Sequence, residues 1–134
     1  SIIKNFDIIV DGSDNFKTKF LINKYSIKYK KILILGAISK FDGHVFTFNF
    51  KHRKTACLKC FYQSEPSDEV LNCETEGIIG PVAGIIANIQ ANEVLKKILN
   101  IGTDLQNSIL IVNLLSLKFK KVSFTKKRKC ICES

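Results

Sequence analysis

The chain has 134 residues, 46% of them hydrophobic and 25% charged, with a formal charge of +9 and a pI near 9.4. That composition excludes a disordered tail and suits one globular domain, or a large part of one, with a sizeable core. The excess of base favours acidic partners such as nucleotide phosphates, nucleic acid or an acidic protein surface, and no apolar run is long enough to span a bilayer.

"FDIIV", 6–10, is a continuous apolar run and reads as a strand covered on both faces. A chain that reaches a core strand so early is expected to be truncated at its N-terminus. "DGSDN" is turn chemistry, and Asp14 or Ser13 is placed to cap a helix over about 15–30. "KILILGA", 31–37, is a second buried strand, so the order strand, helix, strand argues for a parallel βαβ unit. "HVFTFNF", 44–50, alternates, with Val45, Thr47 and Asn49 opposite Phe46, Phe48 and Phe50, the period of a half-exposed strand. Residues 51–76 are polar, contain Pro66 and are long for a loop, which marks the segment as functional or mobile. A helix over 81–100 follows, with Val82, Ile85, Ile86, Ile89, Leu95, Ile98 and Leu99 at three- and four-residue steps. "SILIVNLL" and "KFKKVSF" are two further strands, the second nearer the surface.

Five cysteines, an odd number, with no export signal read in the chain, point to a reducing cytoplasmic setting. Cys57 and Cys60 form a Cys-x-x-Cys pair, and Cys130 with Cys132 can supply two further thiolates for a tetrahedral zinc site. Four reduced thiols without metal, or a redox dithiol, satisfy the same spacing. Cys73 has no neighbour in sequence; it is either a small buried filler or an exposed nucleophile. Asp7, Asp11 and Asp14 cluster around the end of the first strand, where an aspartate in a parallel sheet can hold Mg²⁺ and thereby a polyphosphate. Asp14 serving only as a helix cap is the competing reading. His44 and His52 lack the spacing of a metal pair or a triad and read as surface or strand residues.

The segments "DIIVDGSDNFKTKFLIN", "GAISKFDGHVFTF", "CLKC" and "NCETEGIIGPVAGIIANIQANEVLKKI", followed by the cysteine-bearing tail, resemble in order the C-terminal half of the MoeB/ThiF/HesA family. The resemblance implies an α/β fold: the C-terminal half of a Rossmann-like adenylation domain, a mixed sheet with two main helices, as a single partial domain over 1–134. It implies adenylation, with ATP and Mg²⁺, of the C-terminal glycine of a ubiquitin-like sulfur-carrier protein of molybdopterin or thiamine biosynthesis. By position, Asp14 matches the aspartate that contacts ATP and Mg²⁺, and Asn15 belongs to the same nucleotide-binding pair. Cys57, Cys60, Cys130 and Cys132 match the structural zinc ligands, and Cys73 matches the cysteine that forms a covalent link to the carrier in several members. No G-x-G-x-x-G follows a strand here, so the chain alone is expected not to form the adenylate. A non-catalytic, zinc-stapled binding module for a carrier or partner subunit is the alternative. A homo-oligomer or a separate N-terminal half is the expected partner; nucleic acid and membrane are not.

Overall fold

The computed structural model describes residues 1–67 and 80–133. Cys73 and the segment around it lie outside the described residues. After a 3₁₀ turn at Ile2–Asn5 the elements run β1 (Ile8–Asp11), α1 (Phe16–Lys28), β2 (Ile32–Ile38), β3 (Asp42–Asn49), α2 (Leu58–Phe61), α3 (Gly80–Leu99), β4 (Ser108–Asn113) and β5 (Lys118–Ser123). The strands form one mixed sheet in the order β1-β2-β3-β4-β5. β1 and β2 are parallel, joined by the expected crossover through α1, and the other neighbours are antiparallel.

The two faces of the sheet hold different cores. Leu33, Leu35 and Ala37 of β2, with Phe46 and Phe48 of β3 and Ile109 of β4, bury against α1 and the cysteine-bearing segments. Val45 and Val112 face Val82 and Ile86 of α3. Two glycines let α3 lie close to the sheet. A Cβ at Gly43 would fall 2.3 Å from Ile86 Cδ1, and one at Gly36 would fall 2.5 Å from Gln90 Oε1. A Cβ at either place would force the Ile86 or Gln90 side chain to move from its position against the sheet.

Three expectations change. β3 is not half-exposed: Val45 and Thr47 are as buried as Phe46 and Phe48, because α3 covers their face. Thr47 satisfies its hydroxyl there by donating to Glu93 Oε2 at 2.9 Å. β1 is not covered on both faces: α3 packs over β2 and β3, leaving Val10 53% exposed on an edge strand. The cap of α1 is neither Asp14 nor Ser13 but Asn15, whose Oδ1 accepts from Thr18 N at 2.8 Å. Among the described residues no helix is long and apolar enough to cross a membrane.

Candidate functional site

Two places gather the chemistry-bearing residues. The first is built from the segment preceding α2 and from the tail. Cys57 sits at the N-terminus of α2, and the turn closes with Cys60 N donating to Cys57 O at 2.9 Å. Two buried or half-buried amides fix this segment from elsewhere. Asn23 of α1 accepts from Leu58 N at 3.1 Å, and Asn107, before β4, accepts from Ala56 N at 2.8 Å. In the tail, Glu133 N bonds to Cys130 O at 2.9 Å, which turns Cys130 and Cys132 toward the same point.

The sulfurs of Cys57 and Cys130 lie 3.6 Å apart, and those of Cys60 and Cys132 lie 3.5 Å apart. All four sulfurs fall within 4.8 Å of one another. A tetrahedron of thiolates around one zinc, with metal–sulfur bonds of about 2.3 Å, has edges of about 3.8 Å. The cluster therefore fits a single four-coordinate ion, and the Cys-x-Cys spacing of the tail is no obstacle. Three of the four cysteines are buried and Cys130 is half-buried. They join the core that contains Phe16, Phe20 and Phe46.

Electrostatics favour a cation there. Burial pushes the Cys57 thiol up to about 12, and the neighbouring Cys60 adds to the rise. Burial likewise raises Cys132, with Cys57 next in effect. At Cys60 burial also raises, but hydrogen bonds from the backbone of Cys57 and Lys127 outweigh it and leave the thiol below its ordinary value. Lys127 N lies 3.4 Å from that sulfur. Burial makes thiolates costly at Cys57 and Cys132, and a dication would stabilise them and remove that cost.

The second place lies outside the carboxyl ends of β1 and β2, where open α/β sheets bind ligands. A cavity of about 240 Å³ opens between the β1–α1 turn and α3, lined by Asp14, Gly12, Gly36, Ala83, Ile86 and Gln90 among others. Asp14 is exposed at its mouth, and Asn15 Nδ2 donates to Asp14 Oδ1 at 3.2 Å. The three aspartates do not form one acidic cluster. Asp7 is at the opposite end of β1, where its carbonyl accepts from Ile32 N at 3.1 Å. Asp11 is buried and committed: its Oδ2 accepts from Lys19 Nζ at 3.2 Å and its Oδ1 from Ser13 N at 2.8 Å. Lys19 also donates to Gly36 O at 2.6 Å, and Gln90 Nε2 donates to Asp11 O at 2.9 Å. Of the two aspartates at this end of β1, Asp14 is the exposed one, with one oxygen held by Asn15, and one carboxylate beside substrate phosphates is a usual protein contribution to Mg²⁺ binding.

The sequence reading missed Lys19, Gln90, Asn23 and Asn107. Each is a polar residue type ordinarily found at the surface, and no spacing rule marks it as buried.

His44 lies on β3, half-buried beside a separate cavity, and His52 is exposed in the turn after that strand. Burial holds the His44 imidazole below its ordinary value against the opposing pull of Asp42. A neutral imidazole in the fold and one that titrates at 6.5 when unfolded means the unfolded chain takes up the proton first. The contribution of His44 is therefore present above pH 6.5 and is lost as pH falls through that value toward its folded one. Thermal melts of His44→Asn should show a shallower acid-side decline than the parent, and parallel curves would contradict this assignment.

The family model of the ThiF family matches residues 1–134. The chain is 38% identical over 120 residues to a probable molybdopterin-synthase adenylyltransferase of Gracilaria tenuistipitata, covering 90% of this chain and 33% of that protein. It is 32% identical over 133 residues to a sulfur carrier protein adenylyltransferase of Thermus thermophilus, covering 96% of this chain and 49% of that one. The chain thus spans between a third and a half of the length of these relatives. In fold it resembles the E. coli MccB crystallised with MccA-N7isoASN, with a TM-score of 0.78 at 20% identity, over 96% of this chain and 41% of that one. The matched span, the mixed five-stranded sheet and the ordered set of sequence motifs agree: the chain belongs to the ThiF family.

Proposed function

We propose that this chain is the rear portion of an adenylyltransferase that activates the C-terminal glycine of a ubiquitin-like sulfur-carrier protein, of the molybdopterin type. The observation that carries the reading is the position of Asp14. It stands at the outgoing end of β1 over a cavity, in a chain matched throughout by the ThiF family. Relatives named for molybdopterin-synthase adenylylation favour that pathway over thiamine.

A carboxylate must approach an α-phosphate although both are negative, and a divalent cation with ATP supplies the neutralisation and the leaving group. Asp14 would hold Mg²⁺ and Asn15, through the amide that touches Asp14, would orient it. Asp11 and Lys19 fix the turn that presents both. Cys73, as thiolate, would attack the glycyl-adenylate carbonyl, forming a thioester as the acyl–phosphate bond breaks and AMP leaves. Cys57, Cys60, Cys130 and Cys132 would hold a structural zinc that ties the tail to α2 and takes no part in the chemistry. The open edge of β1 is where a second copy or a segment carrying the phosphate loop would pair.

The test is ATP–pyrophosphate exchange with a sulfur carrier. The chain alone should give none. A chimera in which the N-terminal part of the Thermus thermophilus relative precedes residue 1 should exchange, and Asp14→Ala should cut its rate about a hundredfold or more. Cys73→Ala should leave exchange intact while abolishing the covalent carrier adduct on denaturing gels. Brisk exchange by the chain alone would refute the half-enzyme reading. An unimpaired Asp14→Ala chimera would remove Asp14 from the site. Carrier binding without exchange in the chimera would favour the non-catalytic module.

A further inference from the structure

We propose that the groove between α1 and the cysteine-bearing segments docks an acidic, amphipathic segment of a partner protein. The groove holds about 600 Å³ and, among the described residues, shares no lining residue with the cavity of Asp14, so the inference is argued apart from the adenylating reading.

Its chemistry is two-toned. Phe20 and Ile27 of α1 form an apolar floor with Leu21 and Ile131, and these last two remain 53% and 41% exposed. Lys17, Lys24 and Lys28 rise from the same helix at spacings of seven and four, which places them along one side, and Lys59 stands on the other wall. Against these four lysines the described lining residues include one carboxylate, Glu65. No ion pair among the described residues engages the four; Lys24 and Lys28 lean over the rings of Tyr25 and Tyr29 at 6.0 and 5.5 Å.

An apolar floor rimmed by cations complements a helix that presents aliphatic side chains on one face and carboxylates beside it. A free inorganic anion would use the rim and leave the floor wet. Single-stranded nucleic acid would want exposed aromatic faces for stacking, and the exposed apolar groups in the groove are aliphatic. Ile131 sits between Cys130 and Cys132, and Lys59 precedes Cys60, so the wall facing α1 is shaped by the thiol cluster.

The probe is a fluorescein-labelled peptide of about four helical turns, with leucines at i, i+3, i+4 and i+7 and glutamates elsewhere. Its anisotropy would be followed as the intact chain is added. Binding should weaken as salt rises. It should fall about tenfold or more in the double variant Lys24→Glu/Lys28→Glu, and comparably in Leu21→Asp. The control Lys118→Glu/Lys120→Glu, on exposed positions of β5, should bind as the parent does. Circular dichroism checks that each variant is folded, and Lys24→Gln/Lys28→Gln provides a milder step in the same direction. Absence of binding would overturn the proposal. So would equal loss in both charge-reversed pairs, or equal binding of a scrambled peptide of the same composition. Tighter binding to phosphatidylserine vesicles or to a duplex RNA would also overturn it, in favour of those partners.

Discussion

Stripping metal from the purified chain with a strong chelator under reducing conditions should lower its thermal midpoint by about 10 °C or more. A clasp worth a few kcal/mol gives a shift of that size, since each kcal/mol moves the midpoint of a domain this size by about 4 °C. The cause lies in what the thiols do. Cys57 and Cys60 sit on the loop before and within α2, Cys130 and Cys132 in the tail, and together they close a long stretch of chain. Without a cation, raised thiols at Cys57 and Cys132 stay protonated, and the sulfurs are held to one another only through weak S–H contacts. Phe61, Tyr62 and Phe124, which pack on the same core beside the cluster, should loosen with it. Cys60→Ser should reproduce most of the loss and be insensitive to chelator. Differential scanning calorimetry with and without added Zn²⁺ reads both. Melting curves that overlay before and after chelation would show that the clasp carries no stability.

The second large effect is expected at Lys19. Its side chain is fully buried, and it neutralises Asp11 while bonding the carbonyl of Gly36 on the next strand. Removing the cation with Lys19→Met leaves a buried carboxylate without its partner, which should cost about 3–5 kcal/mol. Replacing both members, Asp11→Asn with Lys19→Met, should recover part of that, since no charge is then stranded. Urea unfolding followed by circular dichroism measures each variant, and the coupling between the two sites is the diagnostic quantity. The same pair anchors the turn that carries Asp14, because Asp11 Oδ1 receives Ser13 N. Lys19→Met should therefore also weaken nucleotide binding in the chimera. Additive single and double variants would mean that the buried pair is no functional unit.

How far the sequence led depends on the residue. The parallel β1–α1–β2 unit was legible because β2 is a nearly unbroken apolar run, and only a crossover can join parallel strands. The cysteine spacing and the family motifs pointed to the thiol cluster, and the structure brings those four residues together. β3 was misread because Thr47 and Asn49 look like a solvent face. The helix that buries Thr47 comes much later in the chain, and it brings Glu93, itself 3% exposed and joined to Lys96, as the partner of that threonine. The periodic stripe assigned to α3 held at Val82 and Ile86. The helix it marks runs to Leu99, but Ile98 and Leu99 are 64% and 61% exposed, because periodicity records a face and not what covers it. The cap of α1 moved one residue because aspartate, serine and asparagine cap by the same hydrogen bond, and only the backbone geometry chooses among them. A lysine inside a lysine-rich helix gives no hint of burial, so Lys19 was invisible until Asp11 was seen beside it.

Metal content tests the account most directly, because the thiol clasp joins the legible motifs to the observed geometry. Elemental analysis by plasma mass spectrometry, paired with native mass spectrometry of the reduced chain, should find one zinc per chain. Cys57→Ser and Cys132→Ser should each lose it, while Cys73→Ser should keep it. A full-length chain that binds no metal when reduced, with all its thiols open to alkylation in the folded state, would contradict the account.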